Sequence, residues 1–354
     1  MHTASSKPRI QFVDLAKGVC ICLVVLFHAQ VLPESTPLLG ALRMPLYFFL
    51  SGLFFKTYGG LGALALKKAN RILMPFVFFY FVGEVAFIAI INIFGESVAQ
   101  TYHYNLLRPL FEMAPHNYPL WFLVSLFWCN LLFCMLRQLL RSDAAVGVAV
   151  MLCAFAGIAL SMNSVESAGW TAPALTGLPF FYFGYMARRS AWMYPGHHDR
   201  LSLPVGLALT GIAAVLCVAG GNSFLSMAHN RVHGSALMAY ATSLAVVPGV
   251  LMLCKAAGHL PWLSYVGRYS VVVLCTHMVV MSPIRVLLRD GDPAVCNIVS
   301  GFGALLLCTL LIRPLIRYLP AFTAQSDALR VPQRVSVWLS AKKKRQMAPA
   351  NEKN

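Results

Sequence analysis

The chain has 354 residues, of which 58% are apolar and 11% charged. A water-soluble domain carries about 25% charged residues, so this composition excludes a soluble fold of this size. The formal net charge of +16 would suit a polyanion binder, but Lys and Arg also accumulate in the cytoplasmic loops of membrane proteins, and only that explanation fits the apolar composition. No nucleic-acid partner is expected.

A bilayer core needs about 20 mainly apolar residues per helix. Ten runs meet or approach that length: 12–32, 37–56, 72–95, 119–137, 144–162, 172–187, 202–219, 235–254, 263–284 and 296–316. Placing the N-terminus inside puts Lys56, Lys67, Lys68, Arg71, Arg137, Arg141, Arg188, Arg189, Arg200, Lys255 and Arg268 on the inner side. The outer segments then hold only Arg108, Arg231, Arg285 and Arg289. The asymmetry predicts an all-α integral membrane protein of about ten transmembrane helices with both termini cytoplasmic. Residues 1–318 read as one polytopic domain, and 319–354 as a basic, partly disordered cytoplasmic tail. Its KKKR run at 342–345 reads as a topogenic stop signal more readily than as a lipid contact. Most of the ten cysteines lie inside apolar runs, with no CxxC pair and no zinc spacing, so neither a metal site nor a disulfide framework is expected.

The first run, RIQFVDLAKGVCICLVVLFHA, carries ionisable groups where lipid would reject them. It lacks a small-residue cleavage site and reads as a helix of the mature protein. Lys17 and His28, eleven positions apart, share a helical face about 16 Å apart along the axis. Asp14 sits three positions before Lys17 and can pair with it. Snorkelling of Lys17 and a structural role for His28 are the plain alternatives, but one stripe bearing both favours function.

The second run reads RMPLYFFLSGLFFK. Ser51 and Gly52 suit close helix contact, whereas Arg43 is not explained by helix contact. Lys67, Lys68 and Arg71 follow, as a cytoplasmic anchor cluster or a site for an anionic cytosolic ligand. Loop 97–118 is rich in aromatic and polar residues (Tyr102, His103, Tyr104, Asn105, His116, Asn117, Tyr118). Trp121 is expected in an interfacial aromatic belt, and His277 falls about mid-membrane in the ninth run. No P-loop, GxSxG, HExxH or dinucleotide fingerprint appears, so any chemistry must use isolated intramembrane groups.

Five of these features, in order, resemble the membrane acyltransferase 3 family. Lys17, ten residues and then His28 match its R/K-x10-H motif. MPLYFFLSGLFF resembles its second-helix signature, Lys68 and Arg71 before ILMPF its basic stretch, and LWFL at 120–123 and VGRYSVVVLCTH at 266–277 its later segments. The variant DLAKGVCICLVVLFH is most similar to the branch of fucose 4-O-acetylases and exopolysaccharide acetyltransferases. The resemblance implies a roughly ten-helix enzyme of the inner (cytoplasmic) membrane. Its donor would be cytosolic acyl-CoA, acetyl-CoA in this branch, used as a substrate with no bound cofactor. Its acceptor would be a hydroxyl of a surface or lipid-linked saccharide.

On that reading His28 is the catalytic candidate, as general base or as a transient acyl-histidine. Asp14, Lys17, Lys68 and Arg71 hold or orient the donor, and Arg43, Ser51, Trp121 and His277 line the site. The competing function is a transporter or lipid-linked glycan flippase, for which the polar stripe would be a path.

Overall fold

A computed structural model describes residues 10–32, 36–94, 116–163 and 168–329. Each of the ten apolar runs forms a helix: α1 Gln11–His28, α2 Pro37–Leu53, α3 Leu61–Phe94, α4 Trp121–Leu139, α5 Asp143–Met162, α6 Thr171–Ala187, α7 Asp199–Ala219, α8 Ala236–Ala257, then α9 Pro261–Arg268 with α10 Ser270–Leu287, and α11 Pro293–Tyr318. Eight of these helices are long and apolar enough to cross a membrane. Of the three shorter ones, α9 has 8 residues, and α2 and α6 have 17 each and lie against one another in the interior.

Local chemistry sets several boundaries. The Ser142 hydroxyl accepts from the Ala145 N–H at 3.0 Å and starts α5. Asp292 accepts from the Ala294 and Val295 N–H groups at 2.8 and 3.0 Å and starts α11. Large apolar side chains remain exposed on α5 (Val148, Leu152, Phe155) and α7 (Leu203, Leu207, Val215). Those faces have no protein against them, and lipid is the solvent that suits them.

Two helix crossings are made backbone to backbone. A Cβ on Gly18 of α1 would fall 1.9 Å from the Leu263 carbonyl oxygen, and one on Gly267 of α9 would fall 1.8 Å from that of Asp14. Gly52 of α2 and Gly184 of α6 stand in the same relation to the carbonyl oxygens of Phe181 and Phe49, at 1.8 and 1.9 Å. Small residues permit such approach, and it replaces the hydrophobic drive that lipid does not supply.

Four features depart from the sequence expectation. The third helix begins at Leu61, well before residue 72, and passes through a π turn at Ala69–Leu73. The ninth run is two helices, broken at Tyr269, where φ and ψ are −112° and 28°. An antiparallel hairpin, β1 Phe224–Ser226 with β2 Arg231–His233, folds the loop between α7 and α8. Residues 319–329, expected in the disordered tail, are docked on α3. Loop residues Tyr102, His103, Tyr104, Asn105 and Arg108, and the tail beyond Leu329, lie outside the described residues.

Candidate active site

The first helix ends at His28, and the tenth brings His277 beside it, with ring centroids 5.4 Å apart and planes tilted by 40°. His277 is fully buried. Its Nδ1 lies 3.0 Å from the Val273 carbonyl oxygen. A carbonyl only accepts, so Nδ1 carries the proton and Nε2 is left with a lone pair. No group among the described residues bonds to that Nε2. His28 is only half-buried, with Phe27 edge-on to its ring at 5.4 Å. The pair therefore has one partly exposed imidazole and, behind it, a buried one held by the backbone of α10.

Two guanidinium groups stand within electrostatic range of His28: Arg43 from α2 and Arg285 from α10. Arg43 places its Cζ 3.7 Å over the Phe27 ring. Nη1 of Arg43 and Nη2 of Arg285 are both buried with no hydrogen-bond partner among the described residues. Asn117, just before α4, donates to the Cys275 carbonyl at 2.8 Å and ties that region to α10. Its Oδ1 is also left unpartnered. On α3, Glu84 pairs with His116 at 2.9 Å, and His116 stacks on Phe87 at 3.7 Å.

Lys17 lies at the other end of α1, about 16 Å from His28 along the axis. Its Nζ is 4.0 Å from Asp14 Oδ1, as the three-residue spacing predicts, and 6.0 Å from the centre of the Phe54 ring. Tyr47 of α2 donates to the Lys17 carbonyl oxygen at 3.1 Å. Ser51 belongs to this end and not to the His28 pair, since it is eight positions, about 12 Å, along α2 from Arg43. Its hydroxyl accepts from Asn130 at 3.2 Å.

Trp121 does not sit in a lipid-facing belt. It is 4% exposed and packs edge-on against Phe122 inside the core. It is part of the wall between the two ends rather than an anchor.

The basic cluster on α3 is engaged by the chain's own tail. Lys67 Nζ reaches Asp327 Oδ2 at 2.7 Å, and Arg71 Nε reaches Oδ1 at 3.0 Å. Arg71 Nη1 also donates to the Ala324 carbonyl. Asn70 brackets Leu329, donating to its carbonyl at 2.9 Å and accepting from its N–H at 2.7 Å. Phe322 stacks on Phe78 at 4.4 Å. The π turn turns Asn70 and Arg71 of one helix toward this segment, and such turns are frequent at functional sites. Lys68 is held by neither the tail nor a carboxylate among the described residues, and lies near Cys129 of α4.

The hydrogen bond from Lys67, with the nearby Arg71 charge, holds the Asp327 carboxyl below its ordinary range. A depressed folded-state value means that the docking energy is present above the unfolded value of about 3.9 and is lost as pH falls through the folded one. The clasp is therefore closed throughout neutral pH. Asp327→Asn should increase amide hydrogen exchange across residues 319–329 at pH 7, and exchange like that of the unaltered protein would show that the carboxylate does not hold the segment.

Sequence reading named His28, His277, Arg43 and Lys17 but set Arg285 aside as a loop charge and gave Asn117 no role beyond loop composition. The end of α10 runs farther than the apolar run suggests, to Leu287, so Arg285 belongs to the same helix as His277, about two turns farther along it.

Comparison with known proteins gives one match. A family model described as an acyltransferase domain, that of the acyltransferase 3 family, matches residues 10–313. This span runs from the start of α1 to the last turns of α11, and includes both imidazoles, both arginines and the α3 cluster. No curated protein and no solved structure matched the chain. The match covers most of the chain, and eight helices are long and apolar enough to cross a membrane, so the chain belongs to the acyltransferase 3 family and is a multi-pass membrane acyltransferase.

Proposed function

We propose that the protein is an O-acyltransferase of the inner membrane that moves an acyl group, acetyl being the simplest, from cytosolic acyl-CoA to a hydroxyl of a surface or lipid-linked saccharide. The observation that carries this reading is the His28–His277 pair. An open imidazole stands beside a buried one with a free lone pair, on the same stripe as a cation about 16 Å away.

That separation suits the extended arm of acyl-CoA. Lys17, with Lys68 at the mouth of α3, holds the anionic or amide part of the donor at the end assigned to the cytoplasm. Arg71 is already committed to Asp327 and Ala324, so it frames the mouth instead of supplying a free charge. The thioester then extends toward His28. His28, as neutral imidazole, takes the proton of the saccharide hydroxyl while its oxygen attacks the thioester carbonyl. The carbon–sulfur bond breaks, the proton passes from His28 to the coenzyme A sulfur, and the ester and free coenzyme A leave by opposite ends. His277 acts behind His28, where its Nε2 lone pair can accept a hydrogen bond from the His28 ring or from the incoming hydroxyl.

The test is release of coenzyme A from radiolabelled acetyl-CoA by purified protein, with transfer of label to saccharide acceptors. Movement of solute across vesicles with no label transferred would overturn the reading and favour a transporter. For the donor end, Lys17→Ala should raise the KM for acyl-CoA by about tenfold or more, the scale of a lost charge-assisted hydrogen bond. Lys17→Arg should recover most of it; equal KM values for the two variants would remove the charge from the account.

A further inference from the structure

Among the described residues, the end of the bundle that carries His28 holds two guanidinium groups with no carboxylate paired to them. Arg43 and Arg285 both lie within electrostatic range of that imidazole. Each has a buried nitrogen with no acceptor. Neither forms an ion pair among the described residues. Glu84, the acidic group on neighbouring α3, pairs with His116 through Oε2 and not with either arginine, and its Oε1 has no hydrogen-bond partner among the described residues.

Several cations elsewhere do have a carboxylate partner. Lys67 and Arg71 share Asp327, Arg137 and Arg189 share Asp143, and Lys255 pairs with Asp199 at 3.1 Å. Cation–π contact with Phe27 offsets part of the cost at Arg43. It leaves the Nη atoms, with Nη2 turned toward Gly40 and the end of α2, free to donate. Two buried guanidinium groups without a counter-charge are costly in a membrane protein and are retained where a ligand supplies the charge.

We propose that Arg43 and Arg285 form an anion subsite for the acyl acceptor, so that the saccharide acylated at His28 carries a carboxylate or phosphate close to the reacting hydroxyl. The inference rests on the acyl-transfer reading for the identity of the ligand. Both arginines lie at the His28 end of α1, away from Lys17, Lys68 and Arg71, so the charge they meet belongs to the acceptor rather than to the coenzyme A phosphates. Guanidinium forks match planar carboxylate and phosphate oxygens, which a neutral hydroxyl does not replace.

The test is thermal unfolding of the detergent-purified full chain with glucuronate, glucose 1-phosphate or glucose, at equal ionic strength. The two anionic sugars should raise the Tm of the unaltered protein by about 2 °C or more, as selective binding to the folded state requires, and glucose should not. The Arg43→Gln/Arg285→Gln protein should lose that shift. Without ligand it should still melt in one cooperative transition, so that the loss of the shift is read on folded protein. His28→Ala should keep the shift, so a failure of the catalytic reading would show in label transfer and not here. Equal shifts with glucose, no shift with either anionic sugar, or a shift that survives the double substitution would overturn the subsite. So would a larger shift with succinyl-CoA than with acetyl-CoA that disappears in the double variant, since the charge would then belong to the donor.

Discussion

Replacing His28 with Ala is expected to lower acyl transfer by about 10²–10⁴-fold, the range a positioned general base contributes. The protein should insert and melt as before. His28 is half-buried and no hydrogen bond from its ring is found among the described residues, so what the substitution removes is its contacts with Phe27 and His277. His277 differs: it is fully buried and bonded to Val273, so His277→Ala removes both a lone pair and a packed ring, and some of its effect would be structural. The cleaner pair is therefore His28→Ala, read by transfer of radiolabel, and His277→Gln, read by the pH dependence of the same rate. A His28→Ala enzyme with unchanged kcat would remove His28 from the chemistry. An intact pH profile in His277→Gln would leave His277 as a wall of the site.

The stripe of Asp14, Lys17 and His28 was legible in the sequence because one helix holds all three, and helical spacing alone puts them on one face. Arg43 stood out for a similar reason, as a charge within an aromatic run that helix contact could not explain. The company of His28 was not legible. Its partner comes from α10, far along the chain, and no local periodicity records which distant helix will pack beside α1. Arg285 was hidden by the rule that served elsewhere: counting it with the outer charges was sound for topology and silent about which way the side chain turns. The tail was expected to be only partly disordered, and which part docks was not legible. Residues 319–329 have no apolar period, yet Phe322 and Asp327 suffice to dock them once Phe78, Lys67 and Arg71 are arrayed on α3. Low hydrophobicity predicts that a segment does not fold by itself; it does not say whether a neighbouring surface will hold it.

Ser51-Gly52 was read as a place for close helix contact, and the strongest stability prediction follows from finding the partner, Gly184. A Cβ on Gly184 would stand 1.9 Å from the Phe49 carbonyl oxygen, 2.7 Å from its carbon and 3.0 Å from its Cα. None of these atoms can swing away as a side chain could, so α2 and α6 must separate. Gly184→Leu should therefore cost at least the upper part of the roughly 1–3 kcal/mol typical of overpacking, and leave little folded protein in detergent. Gly211→Ala on α7 is the matched control, since a Cβ there meets nothing within 4 Å, and Ala favours the helix by up to about 1 kcal/mol. Comparable melting temperatures for the two variants would mean that the α2–α6 contact is not made through backbone. The consequence reaches the site because α2 carries Arg43 at one end and, through Tyr47, holds the Lys17 carbonyl at 3.1 Å nearer the other. A milder Gly184→Ala protein that still folds should lose affinity for donor and acceptor together, because the helix that its methyl displaces serves both ends of the passage.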